Sequence, residues 1–293
     1  MNTRFLFLIL TFVFFNGFSQ PVSVQADYNS VGDCLFSAYN NSQVPMFLNI
    51  NLADLENTTF NEPLPYVKKL EPGFTNLFTL QRDPDADVPR FNYEIKVYRS
   101  DPLAKVDLKY PYLFPFAEGR KVRVFDVKQI DGFWGQDGLS SWTATGFYAR
   151  EGESVFACRN GIVVEVVGVE RKGEAANWYN TWTNSVTLLQ EDGTLICYHN
   201  IVDQGKTLKL GEKVYAGQVI GKIVNGAADL EVLVYHESLF SKYPIFVIPE
   251  FVISEERKGL VNSAGEYTVV HPSDIRSLEM STKEKRKVLG KKK

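Results

Sequence analysis

The segment Glu151-Gly152-Glu153-Ser154-Val155-Phe156-Ala157, followed by Asn160-Gly161-Ile162-Val163-Val164-Glu165-Val166, fixes how the chain folds. Two more stretches repeat its rhythm. Asn184-Ser185-Val186-Thr187-Leu188-Leu189 runs through the turn Glu191-Asp192-Gly193-Thr194 into Leu195-Ile196-Cys197-Tyr198-His199, and Leu210-Gly211-Glu212-Lys213-Val214 leads to Tyr215-Ala216-Gly217-Gln218-Val219-Ile220-Gly221-Lys222-Ile223. Each apolar run is short and closed by Gly or Asp-Gly, the residues that supply positive φ in tight hairpins. Lys121 to about Val270 therefore reads as an antiparallel sheet folded into a compact half-barrel.

Upstream, Met46 to Leu52, Tyr66 to Lys69, Thr75 to Gln81 and Phe91 to Tyr98 are rich in Val, Ile, Leu, Phe and Tyr. Clusters such as Asn57-Thr58-Thr59, Glu71-Pro72-Gly73 and Asp83-Pro84-Asp85 separate them. Short strands at this spacing suit a small antiparallel β-sandwich over residues 20–100. No segment sustains a 3.6-residue period, so little helix is expected. Residues 101–120, with Pro102, Pro111 and Pro115 in a Tyr-rich stretch, read as an extended linker.

The amino terminus points to export. Arg4 precedes the apolar-dominated stretch Phe5–Phe15, and Gly17 and Ser19 occupy the −3 and −1 positions of a cleavage site before Gln20. Residues 1–19 are read as a secretory signal peptide, because a membrane span needs about 20 apolar residues. The expected location is the periplasm, or the outer membrane from its inner side or beyond.

Composition narrows the rest. Among 293 residues, 32 basic and 35 acidic side chains give a formal charge of −3, which offers no global attraction to nucleic acid. Cys34, Cys158 and Cys197 are too scattered for a CxxC metal site. Cys158 and Cys197 fall on strands of one sheet, and whether they pair is left to geometry. From Lys283 to Lys293, seven Lys or Arg against one Glu give a local charge of +6. Residues 273–293 read as a basic, disordered tail, either simply solvated or docked on an anionic lipid surface or an acidic partner.

Together these motifs resemble the lysostaphin-type (LytM) zinc endopeptidase domain. The resemblance rests on Gly-x-x-Val-x-Ala-x-x-Asn-Gly-Ile-Val-Val from Gly152, on Asp-Gly-Thr-x-x-x-Tyr-His from Asp192, and on Leu-Gly-x-x-Val-x-Ala-Gly-Gln-Val-Ile-Gly from Leu210. The segment Tyr112-Leu113-Phe114-Pro115-Phe116 and the tail from Phe246 to Tyr267 also resemble an envelope subgroup with a small β-domain before the peptidase sheet. In active members the sheet holds a zinc ion that polarises a peptide carbonyl and activates water to cut peptidoglycan bridges. The resemblance implies residues 121–272 as the peptidase-like domain.

The family's zinc site needs a His, an Asp just before the Gly-x-x-Val-x-Ala strand, a catalytic His at the end of the Asp-Gly-Thr strand, and a late His-x-His. Here Gly146 stands where the Asp belongs, and no histidine precedes His199. Zinc requires N, S or carboxylate O donors at about 2.0–2.3 Å, and glycine has none. Trp142, Gln136 or a neighbour is expected in the first position. The strand that should carry His-x-His reads Asp229-Leu230-Glu231, and period-2 alternation turns both acids to one face. His199 matches the catalytic His.

The expectation is a degenerate, non-catalytic member with no zinc or other cofactor. Its cleft, formed by Trp142, Gly146, His199, Asp229 and Glu231, would bind a partner. Candidate partners are an envelope or outer-membrane complex, a cell-wall hydrolase that it regulates, or peptidoglycan itself. The competing readings are an active peptidoglycan-directed metalloendopeptidase or hydrolase with an atypical site, using His199 with Asp229 and Glu231 as acid and base, and a plain structural spacer. Duller roles also stand for each residue: His199 as a strand end bonded to backbone, His236 and His271 as surface or loop residues, the two acids as solvated or bound to Ca²⁺. Trp134, Trp142, Trp178 and Trp182 would serve as groove walls or core.

Overall fold

The computed structural model describes residues 21–127, 143–168, 184–202, 208–224, 227 and 229–290. The signal-peptide segment, Gln136 and all four tryptophans lie outside the described residues.

The chain is mainly β. The first region contains β1 (Val22–Tyr28), β2 (Cys34–Asn40), β3 (Met46–Glu56), β4 (Tyr66–Leu70), β5 (Gly73–Leu80) and β6 (Arg90–Tyr98). They form two antiparallel three-stranded sheets, β1-β2-β5 and β4-β3-β6. Alternation explains the layers: in β2 Cys34, Phe36 and Ala38 point inward while Leu35 and Tyr39 face out. Phe36 stacks on Phe78 at 4.5 Å, above a core that includes Leu48, Ile50, Leu70 and Leu80. Strand β1 adds an edge that begins upstream of the segments the sequence pattern marked.

The second region opens with β7 (Pro111–Tyr112), β8 (Lys121–Asp126), β9 (Thr145–Tyr148), β10 (Ser154–Phe156), β11 (Gly161–Val167), β12 (Ser185–Leu189) and β13 (Leu195–His199). It continues through β14 (Ile201–Val202), β15 (Lys213–Val214), β16 (Val219–Ile223), β17 (Asp229–His236), β18 (Ile245–Val247), β19 (Glu250–Ser254), β20 (Arg257–Gly259) and β21 (Glu266–Thr268). Its main sheet runs β15-β11-β12-β13-β17-β9-β8-β21, with β18 beside β17, and a small sheet β10-β16-β14 packs with it. This is an open, antiparallel half-barrel. Gly193 shows why glycine closes the β12–β13 hairpin: its φ is +84°, and a Cβ there would lie 2.5 Å from Asp101 Cβ.

One face of the main sheet carries Val124, Phe147, Val186, Tyr198, Leu230 and Val232 into the larger core. The stretch expected to be a linker enters that core. Tyr110, Tyr112, Leu113, Phe114 and Phe116 are all buried, Phe114 stacks on Phe251 at 5.2 Å, and β7 pairs in parallel with β19. Proline fixes the extended path, but the aromatic side chains between the prolines bring about 1.5–3 kcal/mol each when buried, and that decides where the segment goes.

The expected disordered tail is also corrected. Residues Ser273–Arg276 form α1 and Thr282–Val288 form α2. Ser281 and Glu284 make a complete capping box on α2, and Glu284 also binds Lys213 Nζ at 2.7 Å and Tyr215 Oη at 3.1 Å. Lys283, Lys285, Arg286 and Lys287 thus lie on a short capped helix, while residues 291–293 are outside the described residues. Farther back, Arg159, 2% exposed, bonds Asp192 and Glu279 and stacks on Tyr110, so the tail is fastened through a buried charge cluster. No helix among the described residues is long and apolar enough to cross a membrane.

Candidate functional site

The opposite face of the main sheet is divided along its strands. Leu189, Leu195, Leu233, Tyr235 and Phe246 form an apolar lower half that the first domain covers with Phe47 and Tyr98. Arg99 reaches from the same domain to Glu165 at 3.1 Å, and Glu237 accepts hydrogen bonds from the backbone N–H groups of Arg99 and Ser100. The polar half beyond this cover contains Gly146, His199, Asp229 and Glu231.

Strand pairing sets Gly146 of β9 opposite Glu231 of β17, Glu231 opposite His199 of β13, and His199 opposite Ser185 of β12. The register brings three of the predicted residues into one row. His199 Nδ1 lies 3.1 Å from Glu231 Oε2, with both side chains about four-fifths buried. The imidazole thus meets a carboxylate, where the duller reading placed a backbone group. Asp229 shares a face with Glu231 and accepts from Asn200 Nδ2 at 3.2 Å. Asn200 adopts φ +68°, a region Asn tolerates, at the end of β13. Neither acid is simply solvated. Trp142 lies outside the described residues.

Gly146 is closed off by a residue that the sequence reading did not single out. Phe125 of β8 pairs with Gly146, and its ring lies where a side chain at 146 would project: an added Cβ would be 2.5 Å from Cζ and 2.8 Å from Cδ2. The ring also packs on Tyr148 at 4.9 Å, and Arg123 stacks over Tyr148 at 5.2 Å. Together these side chains form an aromatic and cationic shelf beside the His199 row, and Tyr148 remains 50% exposed. The signal was present in Lys121–Asp126. Val122 and Val124 are buried in the core, so alternation sends Arg123 and Phe125 to the cleft face.

Among the described residues, the donor set does not fit a zinc ion of the lysostaphin kind. Position 146 has no donor and its space is filled by a phenyl ring, while the carboxylates of Glu231 and Asp229 are engaged with His199 and Asn200. No group of three or more His, Cys, Asp or Glu is suited to hold a metal among the described residues.

Two thiols border the cleft and the core. Cys197 lies on the cleft face of β13, and burial pushes its thiol up to about 12. Cys158 is also pushed up to about 12 by burial, although its side chain shares a hydrogen bond with Tyr198, whose hydroxyl accepts from the Cys158 N–H at 2.7 Å. All three cysteines are free. The other histidines are less exposed than expected: His236 ends β17, and His271 is partly buried with Nε2 3.1 Å from the Phe114 carbonyl.

No family profile matches the chain, and no curated protein matches its sequence. Solved structures do show likenesses. The solution structure of lysostaphin matches with a TM-score of 0.27 and 24% identity over 35% of this chain and 39% of its own. The catalytic domain of the antimicrobial peptidase lysostaphin from Staphylococcus simulans matches with a TM-score of 0.27 and 22% identity over 44% of this chain and 80% of that domain. Csd3 of Helicobacter pylori matches with a TM-score of 0.34 and 11% identity over 91% of this chain and 82% of its own. The chain thus covers well under two thirds of the lysostaphin in that solution structure.

Proposed function

We propose that the protein is a non-catalytic, lysostaphin-like component of the bacterial cell envelope, in which the cleft serves for binding and the two-domain body is an accessory subunit of an envelope or outer-membrane complex, or regulates a cell-wall hydrolase. The observation behind this reading is the Phe125 ring over Gly146, where the family places a metal-binding carboxylate. A phenyl ring there excludes both the ligand and the ion it would hold. The same shelf offers aromatic faces and a guanidinium, groups that stack on peptide planes and sugars.

Affinity purification of the full chain from an envelope fraction in mild detergent tests the reading. One defined membrane complex is expected, recovered equally well with His199→Ala, together with protein free of stoichiometric zinc. Stoichiometric zinc with cleavage of peptidoglycan bridges would refute it. The second reading, an atypical hydrolase, draws on the His199–Glu231 pair at 3.1 Å. It requires that His199→Ala abolish the biological role while circular dichroism stays unchanged.

A further inference from the structure

Helix α2 is fixed to the body by an acid, with none of its residues buried. Glu284 closes the capping box with Ser281 and also meets Lys213 and Tyr215. Just upstream, Glu279 is held by the buried Arg159, and Arg276 donates from Nε to the Ala216 carbonyl at 3.2 Å. The only acids from Ser277 to Val288 are Glu279 and Glu284, so both are neutralised against the body.

That attachment decides where the cations of α2 point. A helix turns about 100° per residue, so Arg286 falls nearly opposite Glu284, Lys283 and Lys285 lie about 100° to either side of it, and Lys287 about 60° away. All four are exposed, and none has an ion-pair partner among the described residues. Four cations therefore stand within about 6 Å of helix axis. Lys283–Arg286 and Lys283–Lys287 are like-charge pairs at i,i+3 and i,i+4, spacings at which repulsion weakens a helix and an acid would strengthen it. A face that needed only to be wet would gain from an acid at either place.

Such a face suits an anionic and extended surface. Protein partners are held mainly by aromatic and apolar anchors seated in pockets, and the face made by Lys283, Lys285, Arg286 and Lys287 offers none. A bilayer with anionic headgroups asks only for a density of positive charge. The chain as a whole has a formal charge of −3 although Lys283 to Lys293 contribute +6, so the remainder is acidic. That asymmetry turns α2 toward an anionic surface, while the acidic body is screened beyond a Debye length of about 8 Å.

We propose that Lys283, Lys285, Arg286 and Lys287 dock the protein on an anionic phospholipid surface. The contact is separate from the His199 cleft and is independent of how that cleft is used.

Vesicle co-sedimentation tests it, with the chain from Gln20, which keeps every described residue and omits the apolar stretch Phe5–Phe15. Phosphatidylcholine vesicles with about 30 mol% phosphatidylglycerol should bind the protein, and phosphatidylcholine alone should not. Binding should fall steeply between about 0.1 M and 1 M salt, as the Debye length shrinks from about 10 Å to about 3 Å. Each basic residue near such a surface contributes about fivefold in affinity. Lys283→Gln/Arg286→Gln/Lys287→Gln, which leaves the capping box intact, should therefore weaken binding about a hundredfold. Lys283→Arg/Lys285→Arg/Lys287→Arg should retain it. Lys96→Gln/Lys242→Gln/Lys258→Gln removes the same charge from exposed positions elsewhere and should change binding less than about fivefold. Equal loss in the two glutamine variants, equal binding to neutral vesicles, or no binding to the anionic ones would each overturn the proposal. Binding of soluble polyglutamate without anionic vesicles would assign the face to an acidic protein instead.

Discussion

Substituting Gly146 by Ala should reverse sign with the identity of residue 125. In a strand with ordinary φ, glycine is less stable than alanine by about 0.5–1 kcal/mol, so the exchange would normally stabilise. Here the new methyl group would collide with the Phe125 ring, 2.5 Å from Cζ. The ring can yield only by leaving Tyr148, a contact worth about 0.5–1.5 kcal/mol, or by straining the β8–β9 pair, where overpacking costs about 1–3 kcal/mol. The net expectation is a loss of about 1–2 kcal/mol for Gly146→Ala in the natural background. In a Phe125→Ala background the methyl has room, and the same exchange should gain about 0.5–1 kcal/mol. Urea denaturation of the four proteins of this cycle, compared at midpoints with unchanged slopes, gives the coupling directly. A stabilising Gly146→Ala in the presence of Phe125 would show that the ring does not fill the space beside residue 146, and the proposed non-catalytic role would lose its main support.

Arg159→Met should cost about 3–5 kcal/mol, because Asp192 and Glu279 lose a buried cation; a drop in melting temperature no larger than that of a surface Arg substitution would contradict this. The thiols of Cys158 and Cys197 should resist iodoacetamide at pH 8 in the native protein and react once it unfolds. Their folded values of about 12 lie above the ordinary 9.0, so the stability they confer is whole below pH 9 and is lost as pH rises towards 12. The Cys158→Ala/Cys197→Ala double variant should flatten that alkaline decline, measured as denaturation midpoint against pH. Glu284→Ala removes the capping box and both contacts to Lys213 and Tyr215, so amides of residues 282–288 should exchange faster with the remaining protection pattern unaltered.

The sheets were legible because their signals are local. Alternation in Cys34–Asn40 and Asp229–His236, and glycine at the hairpin of Gly193, follow from side-chain period and positive φ alone. Alternation also placed Asp229 and Glu231 on one face before register was known. What stayed hidden depends on contacts distant in sequence. Nothing near Gly146 announces that Phe125 will cover it, since the ring arrives from a strand some twenty residues earlier through pairing. The prolines at 111 and 115 suggested a spacer, whereas the destination of Tyr112 and Phe114 is set by Phe251, far along the chain. The net charge of the basic tail hides the capping pair Ser281 and Glu284, and Glu279 finds its partner Arg159 120 residues away.

The buried course of residues 110–116 has a practical outcome for anyone hoping to treat the halves as interchangeable parts. A fragment beginning at Lys121 would leave the main sheet without the aromatic wedge that Phe251 and Phe147 close around, and a fragment ending at Ser100 would expose Phe47 and Tyr98 to water. The joint is also the keystone, so shuffling, fusion or proteolytic trimming at that point should yield two insoluble pieces rather than two independent domains.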